Sequence, residues 1–170
     1  MNAKLIVEGK EFEIEILDPE LQRLIAPKKK TGYERVELGG HYWYEAMIGG
    51  VQEVVNMNTV TDENIYEAAN YYSNQTVAEN NARADKLMRQ LRRFAVEHRQ
   101  EPLDWLDDNH AIYCISYDYK LDSFLEVWGD VYTDRDFGVV YFDSYETAKL
   151  AMDTFKDELI WYFTEYKDSL

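Results

Sequence analysis

The 170-residue chain has one cysteine, Cys114, only three prolines, and no apolar run near the length of a membrane span. A lone cysteine excludes an internal disulfide and any multi-cysteine metal site. A spanning helix needs about 18 or more consecutive apolar residues, so none is expected. The first acid, Glu8, falls too early for a secretory signal peptide, and the expected location is cytoplasmic. Phosphate loops are missing too. Gly39-Gly40 and Gly49-Gly50 are turn doublets and match neither GxGxxG nor GxxxxGK followed by Ser or Thr. No HExxH occurs.

Positive charge is also scarce. There are 18 Lys and Arg against 33 Asp and Glu, a net charge of −15. Residues 1–100 carry 13 cations against 16 acids, and residues 101–170 carry 5 against 17. The acidic field is therefore concentrated in the C-terminal part. It repels duplex DNA and membrane headgroups and attracts basic surfaces, although an acidic surface also serves solubility alone.

The catalytic inventory is equally thin. His41, His98 and His110 form no helical i, i+4 pair, and His98 at a helix end is ordinary complementarity to the helix dipole. Cys114 sits mid-strand between Tyr113 and Ile115, which suggests a buried, inert thiol. Asp104, Asp107 and Asp108, or Asp130, Asp134 and Asp136, could share a cation, but neither set has EF-hand spacing. No catalytic residue, cofactor or metal site is expected, and a binding protein fits better than an enzyme.

Hydrophobic residues at 46% and aromatics at 15% argue for a folded chain rather than a disordered one. Phe12, Ile14 and Ile16 alternate with Glu11, Glu13 and Glu15 after a Gly9-Lys10 turn, predicting a β-hairpin with one buried face. Asp18-Pro19 opens a short helix to Ala26. Strands are expected over Tyr33–Leu38, Tyr42–Ile48, Val51–Met57 and Glu67–Tyr72. A long helix follows from about Thr76 to His98, with Ser73 or Asn74 as its cap and Ala84, Leu87, Met88, Leu91 and Ala95 as its apolar stripe. The order then repeats. Leu103–Leu106 reads as a helical turn, Ala111–Tyr117, Phe124–Tyr132 and Phe137–Phe142 as strands, and Ser144 caps a last helix to about Tyr166.

Tyr71-Tyr72-Ser73 with Ala78, and Tyr141-Phe142-Asp143 with Ala148, lie seventy residues apart in matching places. The pattern suggests an internal duplication. The fold class is thus α+β: an N-terminal hairpin and short helix (1–30), then two β-β-β-α units (31–100 and 101–170). The antiparallel sheet, six-stranded if the units join, would have its helices on one face.

Two surfaces stand out. Asp104, Asp107, Asp108, Asp118, Asp122, Glu126, Asp130, Asp134 and Asp136 are interleaved with Trp105, Tyr117, Tyr119, Phe124, Trp128 and Tyr132. Carboxylates spaced over an aromatic sheet can mimic a phosphate backbone, with aromatics such as Trp128 as anchors. The alternative is core aromatics with solvated acids between them, which plain strand alternation also predicts. The second surface is the helix face of Lys86, Arg89, Arg92 and Arg93, which could contact phosphates or pair with acids of the same chain.

The runs Asn70–Glu79 with Leu91–His98, and Gly138–Ala148 with Asp157-Glu158-Leu159, resemble small accessory proteins of phages and prophages of Firmicutes-like gut bacteria. The resemblance covers about residues 31–167 and rests on strand ends and helix caps, so it transfers no catalytic residue. It implies a phage setting, in which small acidic proteins inhibit host defence nucleases, as anti-CRISPR proteins do. The expected function is inhibition of a host nucleic-acid-processing protein such as a CRISPR effector, by docking the acidic, aromatic surface on a basic one. The alternative is a nucleic-acid or nucleotide-binding protein using the Arg89–Arg93 helix face.

Overall fold

In a computed structural model of the chain, residues 2–7, 10–21, 30–47, 50–107, 109–120 and 124–170 are described. They fall into two units, Met1–Thr31 and Gly32–Leu170.

The first unit is a hairpin of β1 (Asn2–Val7) and β2 (Lys10–Glu15), antiparallel, with Leu5 opposite Phe12 and Val7 opposite Lys10. Lys10 thus belongs to the strand rather than the turn, and Gly9 lies outside the described residues. Phe12 remains 49% exposed, so the expected buried face is only half covered. A two-stranded ribbon has no second layer of its own. Asp18 accepts from the backbone amides of Glu20 and Leu21 and opens a helical stretch at residues 19–21. The rest of that expected helix, through Ala26, lies outside the described residues.

The second unit is α+β, with antiparallel sheets and packed helices. Its first half holds β3 (His41–Glu45), β4 (Val51–Val55), α1 (Val60–Glu67) and α2 (Gln75–Glu97). Its second half holds β5 (Ile112–Asp118), β6 (Phe124–Asp130), β7 (Tyr141–Phe142), α3 (Tyr145–Thr154) and α4 (Lys156–Thr164).

Several elements differ from the sequence reading, each for a local reason. Residues 33–37 run without a ladder, and the buried side chain of Asn56 donates to the carbonyl of Val36 there. The expected strand at Glu67–Tyr72 is a helix end, a turn with Ala69 at φ +53°, and a single bridge from Tyr72 to Trp43. What the strand reading missed is the capping box of α1, in which Thr59 and Asp62 satisfy each other's amides. Leu103–Leu106 is an Asx bend, closed by Asp104 accepting from Leu106. Of Phe137–Phe142 only Tyr141 and Phe142 are strand, because Gly138 turns the chain at φ +83°. The last helix breaks at Phe155, which ends α3 and begins α4 without a side-chain cap.

The halves share one strand order. β3 lies between β4 and the Tyr72 bridge, and β5 lies between β6 and β7. Trp43 faces Tyr72 as Tyr113 faces Phe142, and Asn74 caps α2 through Val77 as Ser144 caps α3 through Thr147. The two sheets do not join: among the described residues no ladder links them, so the six-stranded sheet is not formed. The long helix links them instead. Its N-terminal end, Val77 and Ala78, packs with Tyr72, Trp43 and Val51. Farther along, Leu87, Leu91 and Ala95 join Phe142, Ala148, Ala151 and Leu159 in the main core. A fully buried leucine such as Leu87 typically contributes about 2–5 kcal/mol by the cost of its truncation to alanine. Arg83 of α2 adds a fork to Glu158 of α4, at 2.7 and 3.0 Å, and lies over Trp161.

Asp143 ties the exit of α2 to the turn after β7. Its carboxylate accepts from the amides of Gln100 and Glu101 at 2.6 and 3.2 Å. Burial pushes its pKa up, but these donors outweigh burial and hold it below the usual carboxylate range. Among the described residues no helix is long and apolar enough to cross a membrane.

Candidate interaction surface

β5 and β6 alternate between two faces, and their register decides which side chains share each. Tyr113, Ile115, Leu125 and Val127 pack against the main core on the helix side. The opposite face therefore carries Ile112, Cys114, Ser116 and Asp118 of β5, paired with Asp130, Trp128, Glu126 and Phe124 of β6. Tyr141 of β7 joins this face opposite Cys114.

The β7 side of the face is covered. Trp105 meets the Tyr141 ring edge-on at 5.0 Å, and Tyr132 meets it at 5.5 Å. The hydroxyl of Tyr132 stands 3.6 Å from the Cys114 sulfur. Cys114 is half-buried rather than fully buried, and burial pushes its thiol pKa up. The β6 side, away from β7, is open. Phe124 and Trp128 are 45% and 53% exposed and alternate along β6 with Glu126 and Asp130.

The first half covers its corresponding face with a helix. There α1 lies over the corresponding face: Tyr42 stacks on Tyr71 at 4.0 Å, Tyr66 of α1 meets Tyr71 edge-on, and Tyr42 donates to Asp62. The segment equivalent to α1, residues 130–137, contains no helix. It covers Tyr141 with Tyr132 instead.

Of the acids singled out from sequence, Asp118, Glu126 and Asp130, with Trp128, are brought onto this face. Glu126 accepts from Ser116 at 3.2 Å, and Asp118 from the amide of Lys120 at 2.6 Å. Asp134 is exposed in the loop that follows. Asp136 lies against Tyr141, whose hydroxyl accepts from the Asp136 amide at 3.0 Å and donates to its carboxylate at 3.3 Å. Asp104 and Asp107 close local turns, and the amide of Asn109 holds the Asp107 carboxyl below its ordinary range. Asp108 and Asp122 lie outside the described residues. Among the described residues no three His, Cys, Asp or Glu side chains are grouped to hold a metal ion.

The basic helix face is partly neutralised within the chain. Arg89 pairs with Glu45, and Arg93 with Glu97 at 3.7 Å. Arg92 lines an open groove with Arg99, just past the helix end, and Arg135, from the loop after β6. The helix periodicity did not reveal this grouping. Its one sequence signal is that Arg135 is the only arginine in residues 101–170.

The chain matches no protein-family model, no curated protein and no solved structure.

Proposed function

We propose that this is a non-catalytic binding protein that docks the open face of its three-stranded sheet on a basic surface of a nucleic-acid-processing protein, inhibiting it in the manner of an anti-CRISPR protein. The observation that carries this reading is the exposure of Trp128 between Glu126 and Asp130 on one face of β6, with Phe124 exposed at the start of the strand. Exposed aromatics supply contact area, and flanking carboxylates steer a cationic partner into register. The resemblance to phage accessory proteins supports the setting of host defence. Duplex DNA itself is a poor partner for a chain of net charge −15.

The test is binding to a basic partner captured from a bacterial lysate and identified by mass spectrometry. Asp130→Lys with Asp134→Lys, and separately Trp128→Ala, should each weaken binding by about tenfold or more at unchanged melting temperature. Glu13→Lys with Glu15→Lys makes the same net charge change on the exposed side of β2. Equal loss in both charge variants would mean that only bulk charge matters. An unaffected Trp128→Ala would remove the sheet face as the docking surface.

A further inference from the structure

Seven arginines lie among the described residues, and four have carboxylate partners: Arg35 with Glu63, Arg83 with Glu158, Arg89 with Glu45 and Arg93 with Glu97. Arg92, Arg99 and Arg135 have no ion-pair partner among the described residues, and all three line the same open groove of about 490 Å³. In a chain with 33 acids to 18 Lys and Arg, carboxylates are the commonest surface charge. Three exposed guanidiniums left unpaired around one groove are therefore a concentrated demand for an anion.

The end of α2 explains part of this, because helix carbonyl termini favour cations. It does not explain Arg135. That side chain comes from the loop between β6 and β7 and is held with its guanidinium carbon 5.0 Å from the Trp105 ring centroid. Asp136, the one acid in the lining, is engaged by Tyr141 rather than by an arginine. Three positive charges thus face one negative charge. Beside them stand Val96, Phe137 and Val139, all exposed, with Phe137 wholly so.

We propose that this groove binds a mononucleotide, with its phosphate held by Arg92, Arg99 and Arg135 and its base laid against Val96, Phe137 and Val139. Guanidinium forks match phosphate oxygens in geometry as well as charge. The volume falls within the range of small-ligand and cofactor sites. A small ligand is favoured over a nucleic-acid strand by the range of the electric field. Charges farther than about 8 Å are screened at physiological salt, so a mononucleotide senses mainly the local arginines. A long strand would also run over the acidic surface of the same molecule.

The experiment is calorimetric titration of the full chain with AMP and GMP, with adenosine, inorganic phosphate, a 12-nucleotide single strand and hexaglutamate as comparison probes. The expected result is that a nucleotide binds more tightly than any comparison probe. Arg99→Ser and Arg135→Ser should each weaken it about tenfold, as loss of a charge-assisted hydrogen bond does. Arg93→Ser, which removes an arginine outside the groove, should leave it unchanged, as should Trp128→Ala on the acidic face. Circular dichroism and melting temperature confirm that each variant is folded. If Arg135→Ser is not, Arg99→Ser and Phe137→Ser decide the matter, the latter by weakening AMP but not inorganic phosphate. No nucleotide binding at millimolar concentration overturns the proposal. So does equal affinity for adenosine or inorganic phosphate, tighter binding of the strand or of hexaglutamate, or equal loss in Arg93→Ser. Any of these leaves the acidic-face reading standing, because that reading rests on Phe124, Glu126, Trp128, Asp130 and Asp134, none of which lines the groove.

Discussion

Trp43 and Tyr72 face each other across one antiparallel bridge, the amide of each donating to the carbonyl of the other at 2.8 and 2.9 Å. Seventy residues on, Tyr113 and Phe142 are paired in the same sense. The first turns of the helices that follow are equivalent as well, because Ala78 and Ala148 have no exposed surface. A larger side chain at either place must displace the sheet beneath it. Ala78→Leu and Ala148→Leu should each lower stability by about 1–3 kcal/mol in denaturant titration. A neutral result at one position would show that the two helix N-termini are not packed alike.

Asp62 is buried with its carboxylate saturated, accepting from the amides of Thr59 and Met57 and from the hydroxyls of Thr59 and Tyr42. The Thr59 amide and the Tyr42 hydroxyl are the main causes that hold its pKa down to about 2. In the unfolded chain the same carboxyl protonates near its ordinary value of 3.8. The carboxylate's contribution to stability is therefore complete above about pH 4 and is lost as pH falls towards about 2. Asp62→Asn should lower the melting temperature at pH 7 and flatten its pH dependence in that window. Tyr42→Phe, which leaves one carboxylate oxygen without its donor, should lower the melting temperature by on the order of 5 °C. An unchanged acid limb in Asp62→Asn would remove Asp62 from the acid response.

Gly129 pairs with Tyr113 across β5 and β6, and a Cβ placed on it would stand 2.4 Å from Cδ1 and Cε1 of that ring. Because Tyr113 packs against the main core, the ring cannot yield without cost. Gly129→Ala should destabilise the protein by about 1–3 kcal/mol. In a Tyr113→Ser background the penalty should largely vanish, and its persistence would place the strain in the backbone instead.

Cys114 is shielded by Tyr132 and Tyr141, and burial raises its pKa and suppresses the thiolate. Labelling of the native protein by a thiol reagent should be about tenfold or more slower than in denaturant. Tyr132→Ala should speed it by opening that side of the face. Equal native and denatured rates would show that the thiol is accessible.

The sequence alone determined what depends on local periodicity and capping. The apolar stripe of α2, the Ser144 cap, a cap at Ser73 or Asn74 that the structure assigns to Asn74, and the seventy-residue match of Tyr71-Tyr72 with Tyr141-Phe142 all follow from side-chain spacing. The interleaving of acids and aromatics over residues 104–136 was legible too, but the register of β5 and β6 is what shows Trp128 on one face with Glu126 and Asp130. Only the tertiary structure decided which faces were covered. The helix α1 covers Tyr42 and Tyr71 through Asp62 and Tyr66, whereas Tyr132 and Trp105 cover Tyr141 and Trp128 stays exposed. Periodicity could not report this, because it describes a single element and not what packs against it. The same limit hid the arginine groove: Arg92, Arg99 and Arg135 come from a helix, its exit and a distant loop, and only the packing of those segments brings their charges around one space.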